Sequence, residues 1–216
     1  MRFSVIHPSY GRPIQARQTV AEWLDKMTGS ESIEWILSVN DNDPTYSNYF
    51  KSFGDLGIPI VSDRFNGMVS ASNAAARIAQ GSILLLVSDD MHPPQGWDEM
   101  LMDDARLASD DPCVLQVHDS IRDDIVTLPI MNRAAYDRLG YLYHDGYISM
   151  FADNDLAETA KAHGMYYRSD IAGFEHRHWI TGKAPKDDTY AREGSNIAWQ
   201  VGEKLFEQRK AGGFQI

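Results

Sequence analysis

Apolar residues fall in short blocks along the chain, separated by polar stretches that carry Gly and Pro. The block at 3–7, with Phe3, Val5 and Ile6, predicts a buried strand that Pro8, Gly11 and Pro13 then break. Val20, Leu24 and Met27 recur at helical spacing, so a helix is expected over 14–27 with Gly29 as its stop. Strands are expected at 34–39 and 58–61, the first followed by the polar turn Asn40-Asp41-Asn42-Asp43-Pro44. An Ala-rich helix over 70–79 stops at Gly81. The most apolar strand follows at 82–87 and ends at Ser88-Asp89-Asp90.

This alternation of strands and helices predicts an α/β protein, a three-layer α/β/α sandwich around a mostly parallel sheet. Continuously apolar strands agree with a sheet buried on both faces. The second half is less regular. Helices are expected at 97–107, 132–139, 154–163 and 196–210, and strands at 113–118, 126–131 and 165–168. Asp155 and Glu158 have the spacing of a capping box, which leaves Asp153 just outside the cap.

The chain has 216 residues, with neither an internal repeat nor a Ser/Gly-rich linker, and we expect one domain over 1–216. Within it we expect a first half over 1–94, a second half over 95–195 and a C-terminal helix over 196–216. The net charge of -11 repels bare phosphate backbones, so extended nucleic-acid binding is not expected. Cys113 is the single cysteine, so no intramolecular disulfide forms, and its apolar neighbours Val114 and Leu115 mark it as a core residue. The longest apolar run, 83–87, is far below the roughly 18 residues of a membrane span, and the start of the chain is too short in apolar residues for a secretory signal. We expect a cytoplasmic protein without a membrane span; the pattern does not fix its oligomeric state.

In parallel α/β sheets, ligands bind beyond the carboxyl ends of the strands. Polar residues collect there three times: Pro8-Ser9-Tyr10-Gly11-Arg12, Asn40-Asp41-Asn42-Asp43 and Ser88-Asp89-Asp90. Adjacent carboxylates at the tip of a buried strand repel each other unless a cation neutralises them, and a divalent ion bridging to a diphosphate does this. Turn or capping aspartates ahead of Pro93 and Pro94 are the other reading. His176 and His178, two apart on an extended segment, point to the same side and suit a Mn²⁺-like ion.

These features occur in a fixed order, together with Asn66-Gly67 and Ser72-Asn73 ahead of the Ala-rich helix. The set, over about residues 3 to 180, resembles the GT-A fold glycosyltransferases, family 2-like group. The resemblance implies that Asp90 ligates Mn²⁺ or Mg²⁺ and that Asp89 and Ser88 lie near the donor ribose. Ser88 stands where that group has a first acid. It implies further that Pro8, Ser9, Tyr10, Arg12 and Asn73 belong to the nucleotide site, with Asp41, or else Asp43, on the base. An Asx turn before Pro44 would explain these two aspartates equally. Asp153 maps onto the catalytic base, next to Ala152 where the group has Glu. One late imidazole, His176 or else His178, completes the metal site.

The resemblance therefore implies a nucleotide-binding half over 1–94 and an acceptor-binding half over 95–195, and, as the expected activity, transfer of a sugar from a nucleotide-diphosphate sugar, a UDP-sugar by preference, to a hydroxyl acceptor of unspecified class, with inversion. Lys183, Lys186 and Arg192 are candidates for a loop that closes on the donor phosphates. Trp97 and Trp179 would pack in the core or against a sugar ring. A sugar nucleotidyltransferase would need a glycine-rich first loop, which is lacking here. A non-catalytic nucleotide-sugar binding module is the other alternative, suggested by Ser88 and Ala152.

Overall fold

The computed structural model describes residues 2–29 and 32–216. Strand β1 (Arg2–Ser9) lies centrally and pairs in parallel with β2 (Ser32–Asn40) on one side and β4 (Ile83–Leu86) on the other. The register sets Val5 opposite both Trp35 and Leu85. Strand β3 (Ile60–Asp63) extends the sheet beyond β2. Beyond β4 come β7 (Ile130–Asn132), β6 (Val114–Gln116) and β8 (Tyr166–Arg168), giving the order β3-β2-β1-β4-β7-β6-β8. Only β7 runs against the others.

Side chains alternate across the strands, and both sheet faces are covered. Phe3, Val5, Leu37, Ile83 and Leu85 point to one face. Helices α1 (Pro13–Asp25) and α2 (Tyr46–Phe53) cover it, together with α4 (Trp97–Met102), through Val20, Trp23, Tyr49, Phe53 and Trp97. Ile6, Ile36, Leu84, Leu86 and Met131 point to the other face. There α3 (Met68–Ile78), α5 (Arg133–Leu139) and α6 (Ala152–Ala162) supply Val69, Ala76, Leu139 and Leu156. Helix α8 (Asn196–Ala211) lies on α6, and Arg209 Nε reaches Asp155 Oδ2 at 2.6 Å. Cys113 is buried, and that burial pushes its thiol up to about 12.

Several expectations are corrected. The polar stretch after 181 contains a helix, α7 (Asp188–Glu193). Helix α2 follows the Asn40–Pro44 turn where none was expected, because Tyr49 and Phe53, four apart, both reach the core. Helix α4 ends at Met102, where 97–107 was expected. The capping box does not form. Helix α6 begins at Ala152, after Phe151 in the left-handed region at φ 70°. Asp153 and Asp155 therefore both sit in its first turn, and Asp155 is buried on Arg209 and the Tyr147 hydroxyl. A two-stranded pair, β5 (Met91–His92) with β9 (Glu175–His176), carries the late histidines to the tip of β4.

Candidate active site

A cavity of about 310 Å³ opens at the carboxyl ends of β1 and β4. Chain order places β2 on one side of β1 and β4 on the other, which makes this the switch point of the sheet. The first loop contributes Pro8, Ser9, Tyr10 and Arg12 to its wall, and the β4 tip contributes Ser88, Asp89 and Asp90. Asp153, His176 and His178 line the same cavity. Gly67 forms another part of the wall at φ 144°; a Cβ there would lie 2.5 Å from the Ile148 carbonyl oxygen, so the wall has no room for a side chain at this point.

The two aspartates of the β4 tip have different surroundings. Asp89 is held from below. Trp35 Nε1–H donates to His7 Nδ1 at 3.2 Å, which puts the ring hydrogen on Nε2, and Nε2 meets Asp89 Oδ1 at 2.8 Å. Ser9 Oγ donates to Asp89 Oδ2 at 2.9 Å and accepts from the Tyr49 hydroxyl, which in turn accepts from Arg12 N–H. Both Asp89 oxygens are thus committed to holding β1, β2 and β4 together.

Asp90 instead faces the cavity. Ser88 Oγ donates to Oδ1 at 2.6 Å and Tyr190 Oη donates to Oδ2 at 2.7 Å. His176 Nε2 lies 3.3 Å from Oδ2. Burial alone would raise the Asp90 carboxyl, but His176, Ser88 and Tyr190 outweigh it and hold the group well below the usual carboxylate range. The opposite edge of the His176 ring, Nδ1, lies 3.4 Å from Asp119 Oδ2. Burial opposes charge on this ring, yet the two carboxylates raise it to about 9. His178 stands apart from both carboxylates: its ring stacks edge-on to His176 and Tyr190, its Nδ1 accepts from Ile180 N–H, and burial lowers its pKa.

Asp153 is half-buried, and no cation pairs with it among the described residues. Its Oδ1 accepts from Asn154 N–H at 2.9 Å. Burial raises its carboxyl above the ordinary range.

The segment around α7 closes one side. Asp187 takes Arg12 in a bidentate pair, both contacts at 2.7 Å, and the Arg12 guanidinium also lies 4.2 Å from the Tyr190 ring centre. Thr189 Oγ1 donates to the Tyr10 carbonyl, and Arg192 stacks on the Tyr10 ring at 4.0 Å. Lys183 pairs with Glu175, and Lys186 lies over Trp179. Trp97 is a core residue whose Nε1–H donates to the Trp23 carbonyl.

Three candidates lie away from the cavity. Asp43 is buried and accepts from Gly11 N–H, Thr45 N–H and the Thr45 hydroxyl, an Asx turn that pins the first loop. Asp41 is exposed near Arg64, and Asn40 takes the place on the cavity wall. Asn73 is buried, with its side chain spent on Leu142 N–H, Tyr143 N–H, the Tyr143 carbonyl and Asp145. Sequence reasoning missed Asp119, Asp187 and Tyr190. Asp119 follows a strand, the same signal that picked out Asp89 and Asp90; the other two lie in the stretch expected to be a loop, where only its cations Lys183, Lys186 and Arg192 stood out.

Asp90 and His176 form a two-residue donor set. Two ligand atoms of a Mn²⁺ or Mg²⁺ ion, each about 2.1 Å from it, sit roughly 3 Å apart. The 3.3 Å between Asp90 Oδ2 and His176 Nε2 fits that spacing. No three His, Cys, Asp or Glu side chains gather as a complete metal cage among the described residues.

No protein-family model and no curated protein sequence matches this chain. Its fold is similar to solved structures at low identity. Staphylococcus aureus TarS matches at TM-score 0.62 and 15% identity over 81% of this chain, which spans 36% of TarS. Mannosyltransferase PcManGT from Pyrobaculum calidifontis, in complex with GDP-Man and Mn²⁺, matches at TM-score 0.58 and 15% identity, covering 97% of this chain and 75% of that one. Glucosyl-3-phosphoglycerate synthase from Mycobacterium tuberculosis, in complex with Mn²⁺, UDP and phosphoglyceric acid, matches at TM-score 0.60 and 14% identity, covering 96% and 78%. The chain has a GT-A-like fold, with its cavity where the sheet switches direction.

Proposed function

We propose that this chain is a metal-dependent glycosyltransferase that moves a sugar from a nucleotide-diphosphate sugar, preferably a UDP-sugar, to a hydroxyl acceptor with inversion. The observation that carries this reading is the union of Asp90, His176 and Asp153 around one cavity at the switch point. Asp90 and His176 would hold Mn²⁺ or Mg²⁺, which neutralises negative charge on the departing diphosphate. Tyr10 and Arg12 line the cavity wall, where the nucleotide would lie, and Arg12 would exchange Asp187 for phosphate oxygens.

The acceptor oxygen attacks the anomeric carbon while the bond from that carbon to the diphosphate breaks. The electron pair leaves with the nucleoside diphosphate, and the acceptor proton passes to Asp153. A carboxylate shifted upward by burial is better matched to that proton transfer. The complexes of similar structures with GDP-Man and with UDP support a nucleotide-sugar donor.

The test is a thermal-shift panel of nucleotide sugars with and without Mn²⁺, followed by donor hydrolysis. A Mn²⁺-dependent rise in Tm with one nucleotide sugar is expected, with turnover abolished by both Asp90→Asn and Asp153→Asn. Unchanged turnover in both variants would overturn the assigned roles. A second reading, a nucleotide-sugar binding module, is favoured by Tyr190 and Asp187 occupying Asp90 and Arg12. It predicts the same thermal shift with no turnover in the parent protein.

A further inference from the structure

We propose that Asp119 is the positioning residue of the metal site, fixing His176 by backbone and ring together so that Nε2 is the nitrogen offered to the ion. This deepens the metal-dependent reading above and rests on it.

Asp119 is fully buried beyond the end of β6. Its carboxylate has no freedom to turn. Ile121 and Arg122 N–H groups donate to Oδ1 at 2.8 and 2.7 Å, and the Thr127 hydroxyl donates to Oδ2 at 2.7 Å. The Asp119 carbonyl accepts His176 N–H at 2.8 Å, so the same residue sets the backbone and faces the ring.

A neutral imidazole has one N–H to give. Asp90 faces the cavity, and its Oδ2 lies 3.3 Å from the Nε2 edge of the ring. Asp119 is buried and meets the ring at Nδ1. An ion held between Asp90 Oδ2 and the ring needs the Nε2 lone pair, so in the ligating tautomer the ring hydrogen lies on Nδ1, toward Asp119. A carboxylate behind a ligating histidine fixes tautomer and orientation in this way. Among the described residues no carboxylate pairs with His178, whose Nδ1 accepts from Ile180 N–H, and this singles out His176 as the ligand.

Asp119→Asn separates this role from a purely structural one. Oδ1 keeps its two backbone donors, so the amide nitrogen takes the place of Oδ2 and presents N–H to His176 Nδ1. That moves the ring hydrogen to Nε2 and blocks the lone pair. With Mn²⁺ alone as the probe, calorimetry should show affinity reduced about 10- to 100-fold. Nitrogen-15 NMR at alkaline pH, where the ring is neutral, should show Nδ1–H in the parent and Nε2–H in the variant. Placed in a His176→Ala background, Asp119→Asn should cost no further Mn²⁺ affinity. Thr127→Val, which releases Oδ2 while keeping the charge, should weaken Mn²⁺ binding in the same direction and serves if Asp119→Asn does not fold.

An unswitched tautomer with undiminished Mn²⁺ affinity, or a loss that adds to that of His176→Ala, overturns the proposal. A parent protein that binds no Mn²⁺ would overturn the metal reading instead. The tautomer comparison would then decide by itself whether Asp119 orients the ring.

Discussion

At the residue scale, the site contains acidic groups driven in opposite directions. Asp90 is pulled below the ordinary carboxylate range by its partners, while Asp153 is pushed above it by burial, which the positive charge of Arg122 only partly offsets. Divergent pKa values in one cavity mark divided roles. Asp153→Asn should lower turnover about 100- to 10,000-fold, the usual share of general acid–base catalysis. Near neutrality it should also raise Tm, because ionised Asp153 is disfavoured by burial in the folded state. A drop in both turnover and Tm would contradict this account, and calorimetry beside kinetics reads both.

His176 gives a pH signature. Its folded-state value of about 9 lies above the ordinary 6.5. In metal-free protein its contribution to stability is therefore fully present below 6.5 and is lost as pH rises through about 9. Mn²⁺ must displace the Nε2 proton, so its affinity should climb with pH and level off above about 9, measurable by calorimetry across buffers.

At the scale of elements, α7 and α8 decide how the cavity is shaped. Tyr190 on α7 occupies an oxygen of Asp90. Tyr190→Phe should raise Mn²⁺ affinity about tenfold or more, the worth of a lost competing hydrogen bond to a charged group. Gly202 on α8 touches the backbone of the segment that leads Ser149 and Met150 to the wall. A Cβ there would lie 2.3 Å from the Met150 carbonyl oxygen. Gly202→Ala should cost about 1–3 kcal/mol in a denaturant melt, as overpacking does.

The first-half elements were legible because their periodicity is their burial: Val20, Leu85 and Ala76 sit where the pattern put them. Helix α2 was hidden because only Tyr49 and Phe53 turn inward from a run rich in Ser and Asn. The site was legible to the same extent. Residues that follow central strands stood out, which brought Ser9, Arg12, Asp89 and Asp90 to the cavity. Asp41, Asp43 and Asn73 have the right chemical type, but local hydrogen bonds or exposure take them away from it, and no spacing rule reveals that. Tyr190 and Asp187 escaped because their contacts are with Asp90 and Arg12, far away in sequence.

For the whole molecule, a net charge of -11 sets the field in which the proposed anionic donor would bind. That field favours cations, so Mn²⁺ affinity should fall as ionic strength rises, checked by calorimetry in increasing salt. On the function proposed above, a donor diphosphate would be attracted locally, at Arg12, Arg192 and the ion. The Arg12–Asp187 pair also has a consequence for biosynthesis. It joins positions 175 residues apart. The last strand of the sheet is finished at Arg168, and the counter-ion for Arg12 emerges from the ribosome only after it. A nascent chain thus passes through a stage with its sheet fully encoded and its arginine not yet clasped by Asp187.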